Sequence, residues 1–429
     1  MFAPAAATLA DAVAELGELG AAGGGAIDPL TRRRALASYL AFGPERRSVP
    51  QRWRHRYAAL PFEDLFWSTG RVRLPTAERA AGLVHAGSAY VQPPAIAGDP
   101  RIALLSLADA MRAVPERVAA VHGQVVAPDA DRFTALSTAF QNCGAFLDVP
   151  DGVALDEPIP LVWTSRPGPH GAIFPHTVVR LGAGARASVV ERHLGEDEAF
   201  VAGIVEIDLA PGAHLDYAIV QQADGGTRII MRRAARCAEG AAMKWHVADL
   251  GGALCRSVFE TRLAGNAASG DVNALFFPSG FANVDLTIDL DHMAPATASQ
   301  TIVRSVAKDL ALGRFAGDVR IGAHAQGARA SMRADALVLS RDAYIEAIPA
   351  LDIDTNDVSA FHAATIGSLD EEQLFYAQSR GINRANAERM VALAFFEPAI
   401  SGFPSDALRE EVRAALDSRL EEVPETFAS

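Results

Sequence analysis

The chain has 429 residues, half of them hydrophobic, with 52 acidic against 39 basic residues and a net charge of −13. That is apolar material for one large elongated core with flanking domains, which excludes a disordered or fibrous protein. No basic stripe exists for binding driven by counterion release, so nucleic acid is excluded as a partner.

Residues 1–19 are apolar but have no basic stretch ahead of them and carry Asp11 and Glu15, so they are not read as a secretory signal. Helical patterns over 9–19 and 30–40 flank a glycine-rich break at 20–25, and an arginine-dense stretch follows at 46–56. An N-terminal mixed, partly helical domain is expected over 1–145. A helical segment from about 101 leads through 133–144 to strand-like residues at 155–164.

From about 175 to 367 the chain becomes a series of short alternating runs, such as 177–181, 205–209 and 284–290, which are period-two strands. Small-residue corners recur at Gly184, Gly212, Gly240, Ala268 and Ala296, each 28 residues after the last, with Gly327 as the next. Strands and tight corners at a fixed period predict a solenoid of stacked β-coils, a parallel β-helix core over 146–366, with 28 residues read as two coils. A β-sandwich with coincidentally spaced turns is the competing fold. After Gly367 the period becomes helical, with Ser368 and Glu371 as a capping box and Gly381 as a stop. Helices are expected over 370–381, 384–397 and 405–422, in a C-terminal helical domain covering 367–429.

Little of the chemistry searched for is present. Neither Lys244 nor Lys308, the only lysines, sits in a phosphate-binding loop, and no hydrolase or EF-hand motif occurs. Cys143, Cys237 and Cys255 form no C-x-x-C pair, so neither a disulfide framework nor a four-cysteine cluster site is expected, and a reducing cytoplasm fits best. No stretch approaches 18 apolar residues without a charge, so no membrane span is expected. Asp285, Asp289 and Asp291 fall on one face of a strand and could hold a hard cation, as in a β-helix polysaccharide lyase; a solvated acidic face is the plainer reading. His362 stands in a run of small and apolar residues where strands give way to helices, either as a bonded polar side chain or as a ligand.

Residues 281–396 resemble the C-terminal part of the SufB/SufD family of iron–sulfur cluster assembly scaffolds. The resemblance rests on 285–292 with Pro295, Ser299 and Gln300, on 349–358, on the run 362–367, and on 370–376 with 379–382. It weakens back to about Phe133, and residues 1–100 match poorly. It implies a right-handed parallel β-helix with helical ends, acting as a non-catalytic scaffold subunit that pairs with a SufB-type subunit and docks SufC-type ATPases on its C-terminal helices. Phe375, Tyr376, Arg380 and Gly381 are the expected docking residues. No cysteine follows Cys255, so the chain reads as SufD-like, and His362 maps onto the family's histidine as a candidate iron–sulfur ligand at the subunit interface. Ala360 stands where many SufD-like chains have a cysteine. No cofactor is expected to stay on this chain alone; an iron–sulfur cluster would be shared transiently with the partner. A homodimer in isolation remains open.

Overall fold

The computed structural model describes residues 29–42, 66–67, 83–86, 89–92, 101–165, 171–195 and 199–421. The helix expected over 9–19 and the arginine-dense stretch 46–56 lie outside the described residues.

Two long sheets run side by side. The first contains, in spatial order, β4 (Ala103–Ser106), β5 (Cys143–Val149), β8 (Pro175–Leu181), β10 (Phe200–Leu209), β12 (Arg228–Cys237), β14 (Leu254–Leu263), β16 (Asn283–His292), β18 (Leu312–Ile321) and β20 (Tyr344–Ile353). At its side, β1 (Phe66–Trp67) pairs with β7 (Gly171–Ile173), which pairs with β10. The second contains β3 (Ala89–Gln92), β2 (Leu83–Ala86), β6 (Ile159–Ser165), β9 (Arg186–Gly195), β11 (His214–Gln221), β13 (Ala242–Asp249), β15 (Ser269–Phe276), β17 (Ala298–Ala307), β19 (Ala328–Val338) and β21 (Val358–Ser368). From β8 onward the chain passes from one sheet to the other at every corner, and all the ladders from β8 to β21 are parallel. This is the parallel β-helix expected from the corner spacing; strands that joined the sheets by Greek-key crossovers would have made it a sandwich.

The register corrects the size of the coil. Phe200 pairs with Arg228 and His214 with Ala242, so 28 residues make one coil rather than two. Strands of eight to ten residues, one on each sheet, together with two corners use up the whole period. Corner conformation explains the spacing. Gly184, Gly212 and Gly240 have φ of 66°, 69° and 63°, and the left-handed residues that continue this row of corners are Ala267, Ala296 and Gly327. The fourth corner therefore turns at Ala267, one residue before the expected Ala268.

Alternation fills the space between the sheets. Val205, Ile207 and Leu209 of β10 face Leu215, Tyr217 and Ile219 of β11, all essentially fully buried in one continuous core. Among the described residues, helices cover parts of both outer faces. Helices α1 (Pro29–Phe42) and α4 (Arg132–Phe140) lay Leu36, Tyr39, Phe133 and Phe140 on Phe200 and Ile230 of the first sheet. Beside them, α2 (Leu107–Ala113), α3 (Pro115–Ala119) and the turn after α3 cover Phe146, Val178 and Ile204.

On the second sheet, α6 (Arg384–Ile400) and α7 (Asp406–Glu421) bury Val190, Val220, Leu250, Leu275 and Val306 under Phe396, Ile400, Phe403, Leu408, Val412 and Leu416. Helix α5 (Glu371–Ser379) buries Leu374 alone. Its cap is Asp370, whose carboxylate accepts from the Glu372 amide at 2.9 Å; the expected cap, Ser368, is the last residue of β21. None of the described helices is long and apolar enough to cross a membrane.

Candidate functional site

Both sheets end at the last coil. Among the described residues β20 pairs only with β18, and β21 only with β19, so one backbone edge of each has no partner there. Such edges are templates for another chain. The coil also exposes large apolar side chains, with Ile348, Ile353, Phe361 and Ile366 between 39% and 56% accessible. A cluster of that kind marks a contact surface more often than bare solvent exposure.

His362 lies in this coil. Val358 and Ala360 pack against the core, so alternation along β21 puts His362 on the same inward row, opposite Met332 in the register. Met332 is fully buried, and a Cβ on Gly317 would come within 2.3 Å of its sulfur, so the glycine makes room for it. His362 is exposed, and among the described residues nothing hydrogen-bonds its ring. The imidazole thus stands at the open mouth of the solenoid interior with its nitrogens available to a ligand or partner.

The four expected docking residues divide into two pairs. Phe375 and Tyr376 project from α5, 72% and 62% accessible. The Arg380 guanidinium lies 5.3 Å over the Tyr376 ring and steadies it. Gly381 ends the helix with φ 88°, its amide donating to the Gln378 carbonyl at 2.9 Å. Glu371 and Arg384 clip α5 to α6 with a two-pronged ion pair.

Asp285, Asp289 and Asp291 do share the outward face of β16, but they form no cation site. Asp285 accepts from Arg314 Nη1 at 2.7 Å. Asp289 lies in register between Glu260 and Asp318. Burial, then those two carboxylates, push its pKa up to about 6. Asp291 lies in register between Arg262 and Arg320. Among the described residues no three His, Cys, Asp or Glu side chains converge to hold a metal ion. His292, next to them in sequence, points inward; its Nδ1 and Nε2 lie 2.9 Å from Thr297 Oγ1 and Ser299 Oγ. The lyase reading fails on this geometry.

Two buried polar clusters escaped the sequence reading. Glu206 of β10 takes the amides of Gly123, Val125 and Val126 and lies 2.8 Å from His176 Nε2, tying the turn after α3 to the first sheet. The second, around Glu191 and Arg233, lies inside the solenoid. Only the second carries its charges on the inward phase of its strands, beside Val189 and Val205; Glu206 falls on the outward phase, between the inward Val205 and Ile207, and is buried by the turn that covers it.

The architecture defines a parallel β-helix protein with helical ends and an uncovered last coil. Residues 163–395 match the family described as SUF system FeS cluster assembly, SufBD core domain, and residues 92–161 match the SufBD protein N-terminal region. The chain belongs to the SufBD family, and within it is SufD-like. It is 28% identical over 285 residues to an iron–sulfur cluster assembly SufBD family protein of Staphylococcus saprophyticus, covering 66% of this chain and 61% of that relative. It is 28% identical to the iron–sulfur cluster assembly protein SufD of Bacillus subtilis, over 68% of each chain. With SufB of the same organism it shares 26% identity, over 66% of this chain and 61% of the relative.

Proposed function

We propose that this chain is a scaffold subunit for iron–sulfur cluster assembly, pairing through its last coil with a SufB-type subunit and docking an ATPase on α5. The observation that carries the reading is the uncovered coil. Its unpaired edges, exposed apolar side chains and free imidazole lie together, where a second β-helix could continue both sheets. His362 would be one ligand of a nascent cluster, with a partner thiolate supplying what a chain with three cysteines, two of them buried, cannot. The cluster is cargo, formed and passed on.

Helix α5 suits docking because its exposed ring pair stands on a helix braced by α6, while α6 and α7 are committed to the second sheet. The test is tandem purification of the tagged chain with identification of its partners, repeated with Phe361→Asp and with Phe375→Ser plus Tyr376→Ser. Loss of the SufB-type partner in the first variant and of the ATPase in the second is expected. Retention of both partners in both variants would overturn the reading.

A further inference from the structure

Between the sheets, at the coils built from β9 to β14, the apolar filling is interrupted. Glu191 and His193 of β9, Tyr217 of β11, Arg233 of β12 and Asp249 of β13 all point inward and are at most 2% exposed. Glu191 is well served. Tyr217 donates to its Oε2 at 2.7 Å, Arg233 Nη2 donates to Oε1 at 3.1 Å, and His193 Nε2 contacts Oε1 as well. Burial would raise its pKa, but Arg233 and His193 outweigh burial and hold the carboxyl well below the ordinary range.

The service stops there. Arg233 Nη1 and Asp249 Oδ2 are buried polar atoms with no hydrogen-bond partner among the described residues. Arg233 and Asp249 feel each other's charge, yet they form no direct ion pair. Burial raises the Asp249 pKa and outweighs Arg233, the Ser257 hydroxyl and the Cys255 thiol, which pull it the other way. A donor on the first sheet and an acceptor on the second, both fully enclosed, are thus left without a partner among the described residues. Groups in this condition are rarely left unmatched in a folded protein.

We propose that Arg233 Nη1 and Asp249 Oδ2 together form an internal binding site for a neutral, water-sized molecule that accepts from the guanidinium and donates to the carboxylate. The chemistry of the walls selects this ligand. An anion would face the Glu191 and Asp249 carboxylates, and a cation would face Arg233, in a low-dielectric interior where such repulsions are strong. An apolar molecule would leave both polar atoms unmatched. Water satisfies both at once and has two further bonds to give, which is the condition for ordered internal water. Once filled, the site joins the Glu191 half of the cluster to the Asp249–Ser257 half, so that one hydrogen-bonded string crosses the interior from sheet to sheet.

A high-resolution crystal structure of the full chain tests the site directly. A density peak within hydrogen-bond distance of both Arg233 Nη1 and Asp249 Oδ2 is expected. Direct contact between those atoms, or no density between them, overturns the proposal. Oxygen-17 relaxation of water in solution supplies an independent reading. Asp249→Asn keeps an acceptor and should retain the long-lived internal water, whereas Asp249→Leu should lose one; equal counts in the wild type and the folded leucine variant would count against the site.

Discussion

Arg192 of β9 and Glu411 of α7 meet in a two-pronged ion pair, Nε to Oε1 at 2.9 Å and Nη2 to Oε2 at 2.7 Å, although 219 residues separate them. Arg192 faces outward between two inward residues, Glu191 and His193, so one strand segment carries both the helical cover and the interior polar cluster. Both partners are partly solvated, which limits the pair to about 1 kcal/mol even with good geometry. Glu411→Ala should therefore lower stability by about that amount and speed amide exchange in α7 before the central strands. Unchanged exchange in α7 would mean that the apolar contacts alone hold the helix.

The apolar contacts are extensive, and they bear on how docking can be tested. Removing 368–429 would uncover Val190, Val220, Leu250, Leu275, Phe277 and Val306 on the second sheet. The truncated core should aggregate, so its loss of ATPase binding would say little about docking. Point changes on α5 avoid this. Phe375→Ser and Tyr376→Ser touch exposed side chains and should leave stability within about 0.5 kcal/mol, while weakening ATPase binding at least tenfold in a titration. Normal affinity in the double variant would remove α5 from the docking surface.

Two corners are occupied by alanine where neighbouring corners use glycine. Ala267 and Ala296 have φ of 57° and 56°, a conformation that costs an L-residue roughly 1 kcal/mol. Replacing either with glycine should stabilise the protein by about 0.5 kcal/mol, the strain relieved exceeding the added freedom of the unfolded chain. Gly240→Ala should do the reverse; nothing lies within 4 Å of the added Cβ, so its cost would be backbone strain alone. Denaturant midpoints measure all three, and a destabilised Ala267→Gly would show that the corner is not strained.

These corners also show what was legible in the sequence. Small residues at a constant spacing revealed the solenoid because each coil must turn at the same place. They could not tell one coil from two, since a period does not say how many strands share it; only the pairing of Phe200 with Arg228 does. The outward row Asp285, Asp289 and Asp291 was read onto the right face, but Arg314, 29 residues from Asp285, was needed to show that its first member is already buried and paired. The position of His362 was legible because family resemblance marked it. Its freedom from hydrogen bonds was not, because that depends on which side chains surround the mouth of the coil. The burial of Glu191 and Arg233 was hidden for a different reason: a charge in a strand is normally taken for the solvent face.

His292 gives the fold a definite acid sensitivity. The Thr297 hydroxyl donates to the Ala294 carbonyl at 3.1 Å, so it accepts from Nδ1–H, which leaves Nε2 to accept from Ser299. The ring is therefore held neutral, and burial pushes its pKa down to about 4. The unfolded chain takes up a proton below about 6.5, whereas the folded chain resists until about 4. Stability from this group is complete above pH 6.5 and is lost as pH falls toward 4, by an amount on the order of 3 kcal/mol at most. His122, also lowered to about 4 by burial first and then by His176, acts in the same sense. His292→Gln should flatten the fall in stability between pH 7 and pH 5, and an unchanged slope would show that His292 is not the group responsible.

The last prediction separates assembly from chemistry at the open end of the solenoid. His362 is exposed and has no hydrogen bond within the described residues, so His362→Ala leaves no buried group unmatched and should change the stability of the isolated chain by less than about 0.5 kcal/mol. Phe361, Ile366 and Ile348 supply most of the apolar surface of that coil, so pairing with a SufB-type partner should survive the substitution. What should fall, by tenfold or more, is cluster formation in the reconstituted complex, because an alanine has no lone pair to offer iron. His362→Cys would offer a thiolate in its place and should recover part of that loss. Normal cluster yield from an intact His362→Ala complex would end the ligand role, whereas loss of the complex itself would make the imidazole a packing residue of the interface.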